Sequence, residues 1–149
     1  MERPNKDQYY MNIARVVSSR STCLRHHVGC VIVNNDKIVS TGYNGAVKGA
    51  EHCLDTGCLR DELGIKTATR IETCCAVHGE MNALIQAGKY SDGGTLYVNV
   101  IPCITCSKMI INADIKRVVI PADNTYSDKD GLALMKKVGV EITRLHDVI

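Results

Sequence analysis

Two short segments carry the residue types that metal binding and proton transfer need. One is Cys74-Cys75-Ala76-Val77-His78-Gly79-Glu80, and the other is Pro102-Cys103-Ile104-Thr105-Cys106. Cys103 and Cys106 are three residues apart, so one helical turn aims both sulfurs at one ion. His78 supplies a third ligand from a separate segment. Three protein ligands leave zinc an open position for water, which is the pattern of a catalytic site and not of a closed structural one. Two thiolates neutralise Zn²⁺ and neutral imidazole adds no charge. Water at the open position then meets a strong Lewis acid and ionises near neutral pH. Helix N-termini aimed at the same point favour thiolates and hydroxide further.

Glu80 follows His78 by two residues. Inside a helix those side chains point nearly opposite ways. They share a site only if His78 lies at the helix mouth and Glu80 reaches in from the first turn. Glu80 is then not a ligand but the group that takes a proton from water and hands it on. A lone Cys-x-x-Cys is a weak signal, because redox and structural-zinc sites share it. The order His-x-Glu then Pro-Cys-x-x-Cys, on two expected helix starts, is far more specific. It is the signature of zinc deaminases that act on nucleobases.

The elements that must position these groups are legible from periodicity. Asp7–Ser19 reads as a helix, with Met11, Ala14 and Val17 on one face. Cys30–Val33 and Ile38–Thr41 flank the polar tetrad Asn34-Asn35-Asp36-Lys37, a hairpin pattern. Residues 44–73 are long, polar and irregular, and a metal clip would explain how such a loop stays ordered. Val77–Ala87 reads as a helix whose apolar side is Met81, Leu84 and Ile85. Gly93-Gly94 precedes the strand Thr95–Val98, and Pro102 opens a helix through Ala113. The strand Arg117–Ile120, a helix near Gly131–Val138 and a strand near Val140–Thr143 complete the chain. Strands alternating with helices imply parallel pairing in an α/β sandwich, with functional groups at helix N-termini beyond strand ends.

Composition narrows the partner. The 149 residues fit one domain, and without Phe or Trp its core must be aliphatic. A formal charge of +2, with six tyrosines as the only aromatics, argues against nucleic acid and for a small soluble ligand. No apolar stretch reaches membrane-spanning length. The segment MERPNKDQYY lacks the apolar region of a signal peptide, so the expected location is cytoplasmic. Thiols stay reduced there, and eight cysteines then point to metal or catalysis rather than disulfides. Cys30, inside an apolar run, reads instead as a small buried hydrophobe.

Across nearly its whole length the chain resembles the cytidine and deoxycytidylate deaminase family, specifically its deoxycytidylate (dCMP) deaminase branch. The likeness includes Ser21-Thr22-Cys23-Leu24-Arg25, Val28-Gly29, Thr41-Gly42-Tyr43-Asn44-Gly45, His52-Cys53, Gly57-Cys58 and Lys108-Met109-Ile110-Ile111-Asn112-Ala113. It implies a three-layer α/β/α cytidine-deaminase-like sandwich with a five-stranded mixed sheet, formed by one domain over residues 1–149. A Cys-rich insertion would span residues 44–75. It also implies hydrolysis of dCMP to dUMP and ammonia, feeding thymidylate synthesis. Zinc-bound hydroxide would attack C4 while Glu80 protonates N3 and then the departing amine. By resemblance, Asn44 hydrogen-bonds the substrate and the Gly79 N–H holds the base carbonyl. The family usually has alanine where Gly79 stands, which loosens the backbone by up to about 1 kcal/mol.

The resemblance further implies a second, structural zinc on Cys23, Cys53, Cys58 and Cys74, with His52 and Cys75 as spare candidates; the alternative is that these are buried thiols. It implies a homo-oligomer, commonly a hexamer, switched on by dCTP and off by dTTP near the Gly-Tyr-Asn-Gly loop, with Mg²⁺ accompanying such nucleotides. Arg25 offers a fork that matches phosphate, against the alternative of a plain surface arginine. Tyr126 is expected in the loop covering the pocket, on the base or the phosphate. Asn82 could face substrate, the helix surface or an interface. Two competing functions are a related deaminase acting on adenosine in tRNA, cytosine or guanine, and a zinc-stabilised assembly module without catalysis. An intact Glu80 argues against the latter.

Overall fold

The computed structural model describes residues 2–67, 69–123 and 129–146. Tyr126 lies outside them. Helix α1 (Lys6–Ser18) opens with a capping box between Asn5 and Gln8. Strands β1 (Gly29–Asn34) and β2 (Lys37–Tyr43) form the predicted hairpin, with Asn35 and Asp36 both at positive φ. Asn and Asp tolerate that region, which the tightest hairpin turns require.

Helix α4 (Gly79–Ala87), strand β5 (Thr95–Val98), helix α5 (Ile104–Asn112), strand β6 (Arg117–Pro121), helix α6 (Lys129–Lys137) and strand β7 (Glu141–Leu145) follow the expected alternation. The sheet order is β2-β1-β5-β6-β7. β1 runs antiparallel to β2 and β5, while β5, β6 and β7 are parallel.

Alternation along the strands sorts side chains to two layers. Val31, Val33, Tyr97 and Val119 meet Tyr10, Met11 and Ala14 of α1. Cys30, Ile32, Leu96, Val98, Val118 and Ile120 meet Ala83, Ala87, Ile110, Leu132 and Met135 from α4, α5 and α6. The result is an α/β/α sandwich with a five-stranded mixed sheet, and Cys30 is core as expected.

The insertion is more ordered than its sequence suggests. Strand β3 (Gly45–Ala46) pairs with β4 (Ala76–Val77), and one-turn helices α2 (Cys53–Thr56) and α3 (Leu59–Glu62) lie between them. Two boundaries and one helix face therefore need correction. Residues 76 and 77 are strand, so α4 starts at Gly79. Pro102 precedes the α5 cap and does not open the helix. The inner face of α4 is Gly79, Glu80, Ala83 and Ala87, whereas Ile85 is 76% exposed. The physical cause is proximity: α4 sits so close to β2 that a Cβ on Gly42 would lie 2.3 Å from Gly79 O and 2.4 Å from Ala83 N. Only Gly79 and Ala83 fit opposite Gly42; Leu84 packs at the edge of the core and Ile85 turns outward.

Among the described residues no helix is long and apolar enough to cross a membrane.

Candidate metal and active site

The site forms where β1 begins, β5 ends and two helices start. Because β1 and β5 are antiparallel, Cys30 lies beside Val98. The segment entering β1 thus meets the segment leaving β5. Asn99 ties them, accepting from Gly29 N and donating to His27 O, both at 2.9 Å. Sequence reasoning missed this residue, because nothing local marks an asparagine as a brace between distant segments.

His78 is the N-cap of α4, with extended backbone. Cys103 is the N-cap of α5, and its sulfur accepts from Cys106 N. Both predicted helix mouths therefore point at one place. His78 Nδ1 lies 3.5 Å from Cys103 Sγ and 3.3 Å from Cys106 Sγ. A tetrahedral zinc separates a nitrogen and a sulfur ligand by about 3.5 Å, so the donors fit that ion. Among the described residues these three form the one group of such donors drawn within 4.8 Å of one another.

The metal-free thiols share a charge. The Cys106 thiol, donating to Cys103, is the main cause that pulls Cys103 down to about 4, with His78 and the helix-mouth N–H assisting against burial. Cys106 is pushed up as the partner that keeps its proton, and burial adds to this. His78 is raised, first by its hydrogen bond to Cys103.

Glu80 stands at the second position of α4 and is 3% exposed. The helix mouth lets it reach the same cleft as His78, as the two-residue spacing demanded. Burial raises its carboxyl above the ordinary value, opposed by helix-start N–H donation and by His78. Such a group binds and releases a proton closer to neutrality than a surface glutamate does.

A solvent-open cleft with about 620 Å³ of empty space joins these groups to Asn44, Arg25 and Cys74, as well as to Val28 and Ile101. Asn44 is 6% exposed; its Oδ1 accepts from Val28 N and its Nδ2 donates to His26 O, both at 2.9 Å. Asn82 does not face the cleft chemistry but donates to Tyr43 O at 2.9 Å, tying α4 to the loop that carries Asn44. At Gly79, a Cβ would lie 3.2 Å from Gly42 O and Val28 Cγ1. Close packing, and not only flexibility, thus suits glycine here.

Arg25 is no plain surface residue. Its Nε and Nη2 bind Asp61 Oδ1 at 2.8 and 2.7 Å, and Nη2 also donates to Ile65 O at 2.6 Å. Among the described residues its Nη1 is buried without a partner, in a side chain that lines the cleft. Arg60, which sequence reasoning missed, lines the same cleft.

The second cysteine group gathers more loosely. Burial raises the Cys53 thiol, and Cys23, Cys58, Cys74 and Cys75 are near enough to raise it further. All eight cysteines are free thiols. His52 is an exposed N-cap of α2.

The fold and the His-Cys-Cys-Glu cluster together form an α/β/α scaffold that carries a donor set able to hold a metal ion. Residues 4–122 match the profile of the cytidine and deoxycytidylate deaminase zinc-binding region, and the chain belongs to that family. It is 36% identical over 142 residues to a deoxycytidylate deaminase of Schizosaccharomyces pombe, covering 94% of this chain and 44% of that one. The chain thus spans less than half the length of that relative. A deoxycytidylate deaminase of Mycobacterium phage D29 is 40% identical over 133 residues, covering 83% of this chain and all of the phage protein. The crystal structure of a cyanophage S-TIM5 dCMP deaminase in complex with dCMP and dUMP superposes with a TM-score of 0.78. That structure is 32% identical and covers 97% of this chain and 100% of its own.

Proposed function

We propose that this chain is a zinc-dependent deaminase that hydrolyses dCMP to dUMP and ammonia, supplying dUMP for thymidylate synthesis. The observation that carries the reading is Glu80, buried in one cleft with the His78, Cys103 and Cys106 donors. The cyanophage relative, crystallised with dCMP and dUMP, and the phage and yeast relatives support the same substrate.

Zinc held by His78, Cys103 and Cys106 would supply Lewis-acid activation of water at its open position. Glu80 takes the proton of the attacking water, delivers one to N3 of cytosine and then one to the leaving amine at C4. Asn44, held by the backbone of residues 26 and 28, presents its remaining polar capacity to the substrate, and the Gly79 N–H receives the base carbonyl. The unpartnered Nη1 of Arg25 faces the phosphate.

A second zinc, on Cys23, Cys53, Cys58 and Cys74, ties the 44–75 insertion to the remainder of one domain over residues 1–149. Their gathering around Cys53 supports this. The enzyme works as a cytoplasmic homo-oligomer, a hexamer by family resemblance, with dCTP activating and dTTP inhibiting, and Mg²⁺ accompanying them. A groove lined by Arg20, Tyr43, Lys48 and His52 has the cationic character these effectors need.

An ammonia-release assay tests this reading with dCMP, deoxycytidine, cytosine, guanine and a tRNA anticodon hairpin. We expect turnover of dCMP, with Glu80→Gln slower by about 10²–10⁴-fold and zinc retained. Full activity of Glu80→Gln removes the mechanism, and equal rates on dCMP and deoxycytidine refute phosphate recognition. Hyperbolic dCMP kinetics indifferent to dCTP and dTTP refute the effectors.

A further inference from the structure

The cleft holds a second cation that the reaction so far does not use. Arg60 sits on the single turn α3 inside the insertion and is only 7% exposed. Its Nη2 donates to the carbonyls of Lys66 and Thr69 at 3.1 and 3.0 Å. Among the described residues its Nε is buried with no partner. Among the described residues no carboxylate pairs with it, although four other ion pairs form. A buried guanidinium bound only to neutral carbonyls keeps its whole charge uncompensated, which is strongly unfavourable unless an anion arrives.

Its neighbour in sequence completes the arrangement. Asp61 clamps Nε and Nη2 of Arg25, and among the described residues its Nη1 is buried without a partner. Residues 60 and 61 therefore set both cations, one directly and one by orientation. Both arginines lower the proton affinity of His26, after burial, so their fields overlap at that residue. The cleft is thus lined by His78, Cys103 and Glu80 together with two guanidiniums. A neutral nucleoside would leave those cations unmatched, while a phosphate dianion fits them with charge-assisted hydrogen bonds.

We propose that Arg60 is a specificity-determining residue which, with the unpartnered Nη1 of Arg25, receives the substrate's phosphate, so that the insertion makes the site phosphate-dependent. This rests on the dCMP reading above. The competing account is that Arg60 only packs beside Cys23 and Cys74, which line the same cleft, and holds the insertion in place through Lys66 O and Thr69 O.

The test uses the zinc-loaded chain, with Arg60→Gln and Arg60→Lys as variants. Arg60→Gln should lower kcat/KM on dCMP by on the order of 10–100-fold, mainly through KM, and leave deoxycytidine turnover unchanged. Arg60→Lys should recover part of the loss. Inorganic phosphate should raise the wild-type melting temperature by binding the folded state, and that shift should vanish in Arg60→Gln and shrink in Arg60→Lys. An unchanged preference for dCMP in Arg60→Gln overturns the proposal, as does an equal loss on both substrates. If Arg60→Gln does not fold, a full phosphate shift in Arg60→Lys with unaltered KM overturns it. Wild-type protein inactive on both substrates overturns the deaminase reading instead, and the phosphate shift, which needs no turnover, still decides Arg60.

Discussion

Replacing Gly42 by alanine should disable the site from the far side of the helix that carries it. The added Cβ would meet Gly79 O at 2.3 Å and Ala83 N at 2.4 Å, both backbone atoms that no rotamer change can clear. Restoring ordinary contact requires α4 to retreat from β2 by about 1 Å, in an interior packed without spare volume. His78 and Glu80 start that helix and would move with it, while Cys103 and Cys106 on α5 would not. A displacement of about 1 Å exceeds the roughly 0.2 Å tolerance of a metal site and costs about 10²-fold in rate. Overpacking adds about 1–3 kcal/mol of destabilisation, read as a Tm lowered by about 2–4 °C for each kcal/mol. Gly79→Ala is the control across the same interface. Its Cβ meets nothing nearer than 3.2 Å, so a shift of a few tenths of an ångström suffices. Differential scanning fluorimetry, zinc analysis and ammonia release on both variants decide the matter. Wild-type behaviour of Gly42→Ala, or equal damage from Gly79→Ala, would refute the close-approach argument.

Asp7 anchors α1 to the sheet by accepting from both terminal nitrogens of Arg117, at 3.0 and 2.9 Å, and from Tyr97 OH at 2.7 Å. The Arg117 hydrogen bond is the chief cause that holds its carboxyl below 3.8, against burial. That stabilisation is present above the ordinary carboxylate range and is lost as pH falls through the depressed folded value. Asp7→Asn should therefore cost about 1–3 kcal/mol in urea melts at pH 7 and progressively less in acid; an equal gap at both would contradict the linkage. For the metals, two zinc per chain are expected. Cys53→Ser should lose one and melt several degrees lower, Cys103→Ser should lose the other, and chelation should abolish ammonia release. One zinc per chain, untouched by Cys53→Ser, would remove the second site.

Sequence alone determined a good part of this protein. Ligand spacing named His78, Cys103 and Cys106, because a turn of helix and the coordination needs of zinc admit few arrangements. The two-residue step from His78 to Glu80 demanded a helix mouth at residue 78, and α4 begins where that geometry requires. Short apolar, β-branched runs placed β1, β5 and β6, and the polar tetrad around Asn35-Asp36 marked the hairpin turn. These features depend on neighbours a few residues away.

Tertiary structure decided the rest. Ile85 reads as an inward residue by hydrophobicity, yet it is exposed because β2 lies too close to α4 for anything larger than alanine. Asn82 and Asn99 became braces only when Tyr43 O, His27 O and Gly29 N came within reach. Arg60 is one of eighteen basic residues and carries no local mark. It faces the cleft because the insertion folds back to the start of β1, where its neighbour Asp61 binds Arg25 thirty-six residues away. Local chemistry therefore showed which groups could hold a metal and move a proton. Long-range packing set the shape and charge of the space around them, because burial and unmatched charge are properties of the assembled chain.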